Sequence, residues 1–387
     1  MSNVPPLVKS VLFVLLLASS LAFGQHYNQT NLVANFASTP PAGVIDPNLQ
    51  NAWGLVASPG GSPWWVSNNA GGTSTLYAID PVTGAAHIVP INGTGTVVVA
   101  NAPSQPAPGS PTGVMFNGGP TDFLVAPGKP ALFIFVTEDG TVQGWNPGVS
   151  PNTVIKVDHS QVPNDADGAV YKGSTIAEID GQKFILAANF RSGRVDVFDT
   201  NFQQVKRGEK RDEERGEDAF ADEEIPRGFA PFNVQGLGPN IYVTFAKQDA
   251  AKHDPVGGAG LGFVDVFNGH GRLLQRLEHT DSMNAPWGVA WANQNFGEFS
   301  NTILVGNFRG GNVSAFNPVT GRFLGNMLNP DGKTLLIDGL WALRFGNGGN
   351  SGPGSTLFFT AGPNGEKDGL FGTLLPVATE KNEADEL

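Results

Sequence analysis

The chain has 387 residues and a formal net charge of −12, a balance opposite to the clustered Lys and Arg that nucleic acid requires, so no nucleic-acid partner is expected. It contains no cysteine, which excludes disulfides, thiolate metal ligands and a cysteine nucleophile. With 51 Gly and 29 Pro beside 40% hydrophobic residues, the composition suits many short strands joined by tight turns around a sizeable core.

The N-terminus carries Lys9, an apolar run from Val11 to Phe23 broken by Ser19 and Ser20, and small residues up to Gly24. This pattern predicts a cleavable secretory signal over 1–24, too short for a spanning helix, with an uncleaved anchor as the other reading. A periplasmic or secreted location follows, with no membrane span after cleavage, because no later stretch reaches the ~18 apolar residues that a span needs.

From residue 25 onward one pattern repeats. Opening segments Trp53-Gly54-Leu55, Thr112-Gly113-Val114, Gly173-Ser174-Thr175-Ile176, Phe229-Ala230-Pro231-Phe232, Trp287-Gly288-Val289 and Trp341-Ala342-Leu343 recur 54 to 60 residues apart, measured at Gly54, Gly113, Gly173, Ala230, Gly288 and Ala342. After each comes an apolar central strand: Trp64–Ser67, Leu132–Val136, Phe184–Ala187, Ile241–Phe245, Ile303–Gly306 and Leu357–Thr360. Five of these are followed by a period-two strand ending in Asn or Asp, such as Val195–Asp199 and Val264–Asn268, and Pro-Val-Thr-Gly twice supplies the turn. This period predicts an all-β, six-bladed β-propeller with four-stranded antiparallel blades around a central channel. A β-sandwich would not need the repetition. The propeller is expected to be a single domain over 25–376, with a strand near Asn31-Leu32-Val33 closing the last blade, a charged loop insertion at about 206–224 and an acidic tail at 377–387.

Chemistry is expected in the loops joining second to third strands, which share one face with the loops leading into the innermost strands. They contribute Asn69, Glu138, Asn189, Arg191, Lys247, Asp249, His253, Asn307, Arg309 and Glu366 as candidate ligand-binding residues. Asn189-Phe190-Arg191 and Asn307-Phe308-Arg309 hold equivalent places, so two guanidiniums on one rim would suit a carboxylate or phosphate. The plainer reading makes each Asn a turn residue and pairs each Arg with a neighbouring acid. His253 with flanking acids would serve as a metal ligand or an acid/base, although most loop histidines do neither. Glu138, Asp254 and Glu366 are the candidate metal ligands. Ca²⁺ is the cation that such oxygen donors would take, but no linear motif marks a site and no cofactor is assigned. The tryptophans of the opening segments either pack the core or stack on a ligand. Gly257–Gly262 lies between strands with no helix after it, so it reads as a hairpin loop and not a dinucleotide fingerprint.

Taken together, Trp53-Gly54-Leu55, Ala230-Pro231-Phe232-Asn233, Tyr242–Gln248, His253-Asp254, Gly262–Phe267, Ala285–Gly288, Gly306–Phe308 and Leu357–Pro363 resemble an uncharacterised family of exported bacterial proteins expected to be propellers. The resemblance covers nearly the whole mature chain and implies the fold but no activity. Two departures are the charged insertion and the absence of the C-terminal sorting segment that some members carry. The chain is more distantly similar to NHL-repeat and gluconolactonase-like six-bladed propellers. The function expected is that of a monomeric, non-catalytic binding or interaction scaffold for a small molecule or a cell-envelope protein. The alternative is a Ca²⁺-dependent, lactonase-like hydrolase.

Overall fold

A computed structural model describes residues 26–91, 93–164, 166–205 and 219–377. The expected secretory signal, the expected acidic tail beyond 377 and most of the charged insertion lie outside these residues. Six antiparallel sheets follow one another along the chain as blades of a six-bladed propeller. Blade 1 opens with Ala52–Val56, blade 2 with Pro111–Phe116, blade 3 with Tyr171–Ile179, blade 4 with Phe229–Leu237, blade 5 with Pro286–Trp291 and blade 6 with Leu340–Phe345. Closure is made at blade 6, where the N-terminal strand Tyr27–Ala34 pairs antiparallel with Leu370–Pro376 as the expected closing strand. The first and last described strands therefore stabilise each other and close the ring at blade 6.

Each innermost strand carries a register irregularity at the same height. The residues there are Trp53, Thr112, Lys172, Phe232, Trp287 and Trp341, and each is followed by a residue that touches the next strand closely. A bulge re-aims its side chain out of the sheet alternation, and these side chains meet at the propeller axis. Trp53 stacks on Trp341 with centroids 3.5 Å apart, although they come from blades 1 and 6. Trp287 and Phe232 each lie 5.8 Å from Trp341. Phe308 stacks on Trp341 at 3.8 Å, and Phe190 reaches Phe232 at 5.4 Å. The channel is therefore plugged by buried aromatic rings, and the tryptophans are core residues.

The residues after the bulges explain how the strands come so near. A side-chain carbon on Gly54 would lie 2.4 Å from the Thr112 carbonyl oxygen, and one on Gly288 would lie 2.5 Å from that of Trp341. In blade 4 the equivalent position is Asn233, not Ala230 as the sequence spacing suggests. Asn233 tolerates the crowding because its side chain is used, Nδ2 donating to the Trp287 carbonyl at 2.8 Å and Oδ1 accepting from Val234 N–H at 2.8 Å.

The described end of the charged insertion is packed rather than free. Phe220 is buried against Phe267 at 5.7 Å, and Asp222 forms an ion pair with Arg276 on the outer strand of blade 4.

Candidate functional site

Above the aromatic plug, Lys172 is the one cation among the six bulge residues. It has no solvent exposure, and its Nζ lies 5.3 Å from the Trp53 ring and 6.0 Å from that of Phe190. Burial alone favours discharge of an ammonium. Two acids prevent it: Lys172 Nζ donates to Glu138 and, at 3.1 Å, to Asp254 Oδ1. Their charges outweigh the lost hydration, and the lysine pKa stands above its ordinary value.

The acids are themselves held from several blades. Glu138 accepts 2.7 Å from Asn69 Nδ2. Asp254 faces His253 Nδ1 at 3.1 Å; this hydrogen bond and the Lys172 charge keep its carboxyl well below the usual range. Asn51 takes a positive φ of 48° between Glu366, to which Nδ2 donates at 3.2 Å, and Trp341, whose indole N–H donates to its Oδ1 at 3.1 Å. Glu366 has its pKa raised by burial and by the nearby Glu138, and Arg309 stands 3.8 Å away as a loose partner.

Beside this network opens a cavity of about 440 Å³. Asn69, Glu138, Asp139, Ser160, Arg191 and His253 supply its polar lining, while Pro106, Ala107 and Pro108 form an apolar wall. Arg191 Nη1 donates to the Gly168 carbonyl at 2.9 Å, and among the described residues the guanidinium beside the cavity has no carboxylate partner.

The sequence-derived candidates therefore separate into groups. Asn69, Glu138, Arg191 and His253 share the cavity, and Glu366 and Arg309 lie on the adjoining network through Asn51. Asn189 and Asn307 are buried turn-formers: Asn189 Nδ2 donates to Asp196 at 2.9 Å, and Asn307 Oδ1 accepts from Asn284 N–H at 3.0 Å. Asp249 caps its own loop by accepting from His253 N–H at 2.8 Å. Lys247 turns to the Arg227 carbonyl at 3.1 Å and the Phe229 ring. Arg309 stands beside Glu366, as the plainer reading of the repeated Asn-Phe-Arg motif expects, whereas Arg191 bonds a backbone carbonyl instead of an acid.

Of the proposed metal ligands, Glu138 and Asp254 belong with His253 to a triad whose ligand atoms lie within 4.8 Å of one another. Glu366 stands apart from it. The ammonium of Lys172 already bridges the two acids of the triad. Sequence reasoning missed Lys172 and Asn51. For Lys172 the signal was present, since it stands immediately before the small residue of blade 3, where other blades place Trp53, Thr112, Trp287 and Trp341.

No family model matches the chain. A structural genomics protein of unknown function from Bacteroides thetaiotaomicron superposes with a TM-score of 0.52 at 7% identity, over 90% of this chain and 76% of that one, a likeness of fold alone. Uncharacterized protein R648 of Acanthamoeba polyphaga mimivirus is 29% identical over 351 residues, 89% of this chain and 78% of the relative. Uncharacterized protein L690 of the same virus is 30% identical over 342 residues, 86% of this chain and 82% of the relative. These relatives are viral, so they lend no support to the bacterial and exported character implied by the sequence resemblance. The chain belongs to the family of mimivirus protein L690.

Proposed function

We propose that the protein is a non-catalytic binding propeller that takes a small polar anion in the cavity at its mouth. The observation that carries this reading is Lys172. Its ammonium bridges Glu138 and Asp254, so neither is a free general base and the position between them already holds a cation. Arg191, with no carboxylate partner among the described residues, then offers charge to a ligand carboxylate or phosphate, while Asn69 and Ser160 line the cavity as partners for hydroxyl groups. An exported location rests on the N-terminal sequence alone.

The triad of Glu138, His253 and Asp254 favours a second reading, a Ca²⁺-assisted hydrolase of lactonase type. That reading requires Lys172 to leave its two acids, which would strand an ammonium in an apolar setting.

A calorimetric screen of sugar acids, short organic acids and lactones distinguishes the two. The binding reading expects an organic anion to bind unchanged and Arg191→Met to weaken it at least tenfold. Turnover of a lactone, or equal binding by the variant, would overturn it.

A further inference from the structure

At the mouth, most charges are already matched within the protein. Lys172 answers Glu138 and Asp254, and the second oxygen of Glu138 accepts from Asn69. Asp139 and Arg191 remain, opposite in sign and both lining the mouth cavity. Among the described residues neither forms an ion pair, with the other or with any third group.

Each of the two is fixed by one backbone bond and keeps one polar atom unanswered. Asp139 Oδ2 accepts from Ala102 N–H at 2.5 Å, while its Oδ1 is buried with no hydrogen-bond partner. Arg191 Nη1 donates to the Gly168 carbonyl, while its Nε is buried and equally unpartnered. A buried carboxylate oxygen without a donor and a buried guanidinium N–H without an acceptor are each costly, and their needs are opposite. A plain anion would answer Arg191 but meet repulsion from Asp139. A ligand that carries a cation as well as a carboxylate answers both, and it leaves the net charge of the cavity unchanged.

The same acid also positions the apolar wall. Ala102 belongs to the loop that carries Pro106, Ala107 and Pro108, and Ser104 Oγ of that loop donates to Ser160 Oγ at 2.7 Å. The wall is thus pinned beside the charged lining, where it offers a surface to the hydrocarbon part of a ligand.

We propose that the mouth cavity binds a zwitterionic amino acid, its ammonium donating to Asp139 Oδ1 and its carboxylate accepting from Arg191 Nε. This rests on the reading that the cavity takes a carboxylate at Arg191, and it adds the second charge of the ligand.

Calorimetry at neutral pH with paired probes tests it: L-leucine against 4-methylpentanoate, and 6-aminohexanoate against hexanoate. The members of each pair differ only by the ammonium, and the pairs differ in the spacing of the two charges. At least one amino acid should bind about tenfold tighter than its deaminated partner. Asp139→Asn, which keeps an oxygen for the Ala102 N–H, should erase that preference, whereas Arg191→Met should weaken both members of the pair. The comparison within the wild-type protein needs no variant, so it holds even if Asp139→Asn loosens the loop. Equal or tighter binding of the deaminated acids, or a preference unchanged in Asp139→Asn, would overturn the proposal and leave the anion reading standing. Absence of binding by every probe would overturn it too, and the sugar acids would then decide the anion reading by themselves.

Discussion

The ammonium of Lys172 lies 3.1 Å from Asp254, joining a wholly buried residue of blade 3's innermost strand to a half-exposed acid on a loop of blade 4. With Glu138 from blade 2 on its other side, one cation ties three blades together at the head of the axis. Replacing it by Met keeps much of the volume and removes the charge, leaving Glu138 buried without its partner. Breaking such a pair costs about 3–5 kcal/mol when fully buried. Asp254 is 57% exposed and can be hydrated, so the expected loss for Lys172→Met is at the low end, on the order of 3 kcal/mol. Denaturant melts check this, and adding Glu138→Gln should restore part of the loss. A double variant no more stable than the single one would show that packing, not charge, dominates.

Close approach at the axis gives a second expectation. Gly54→Ala places a carbon 2.4 Å from the Thr112 carbonyl oxygen, a backbone atom of blade 2's innermost strand. Overpacking of this kind costs about 1–3 kcal/mol. Gly84→Ala is the control for packing, since no atom lies within 4 Å of an added carbon there, although its φ of 72° brings strain of its own. Chemical denaturation should therefore show an extra loss for Gly54→Ala beyond that backbone effect.

Much of this arrangement is legible in the sequence. The alternation of Val264–Phe267 and the recurring Trp-Gly pairs point to blades because a propeller repeats one packing problem six times. What the spacing conceals is the bulge. Blade 4 shows Ala230 as its apparent small residue, yet the place after its bulge is held by Asn233, which is not small. That bulge is a feature of pairing between strands, which linear spacing does not record. The loop candidates were half legible for a related reason: Asn189 and Asn307 look exposed as polar loop residues, but both turn inward to satisfy backbone and side-chain groups that the blade would otherwise bury unpaired.

Asp265 predicts a pH effect. Burial is the main cause of its raised pKa, opposed by Arg276 and reinforced by the charge of Asp222, and the value stands at about 7. Arg276 bonds Asp265 through Nε at 3.0 Å, and Glu224 lies 3.7 Å from the same guanidinium. The folded state thus keeps a proton up to about pH 7 that the unfolded chain releases near 3.8. The unfolded chain then binds fewer protons across this window, so this group's contribution to stability falls as pH rises from about 4 to 7 and is flat above it. Asp265→Asn should remove that slope, so the difference in melting temperature between variant and wild type should grow in the variant's favour from pH 5 to pH 7.5. A constant difference across this range would contradict the assignment.

Lys172 supplies the cation at the head of the axis, which is tested most directly by the melting temperature of the wild-type protein in EDTA and in millimolar Ca²⁺. A ligand held only by the native state raises that temperature by an amount that grows with the logarithm of its concentration relative to Kd. With the ammonium between Glu138 and Asp254, the two melts should coincide. A rise in Ca²⁺ that EDTA reverses would contradict the account and return the site to the metal-dependent reading.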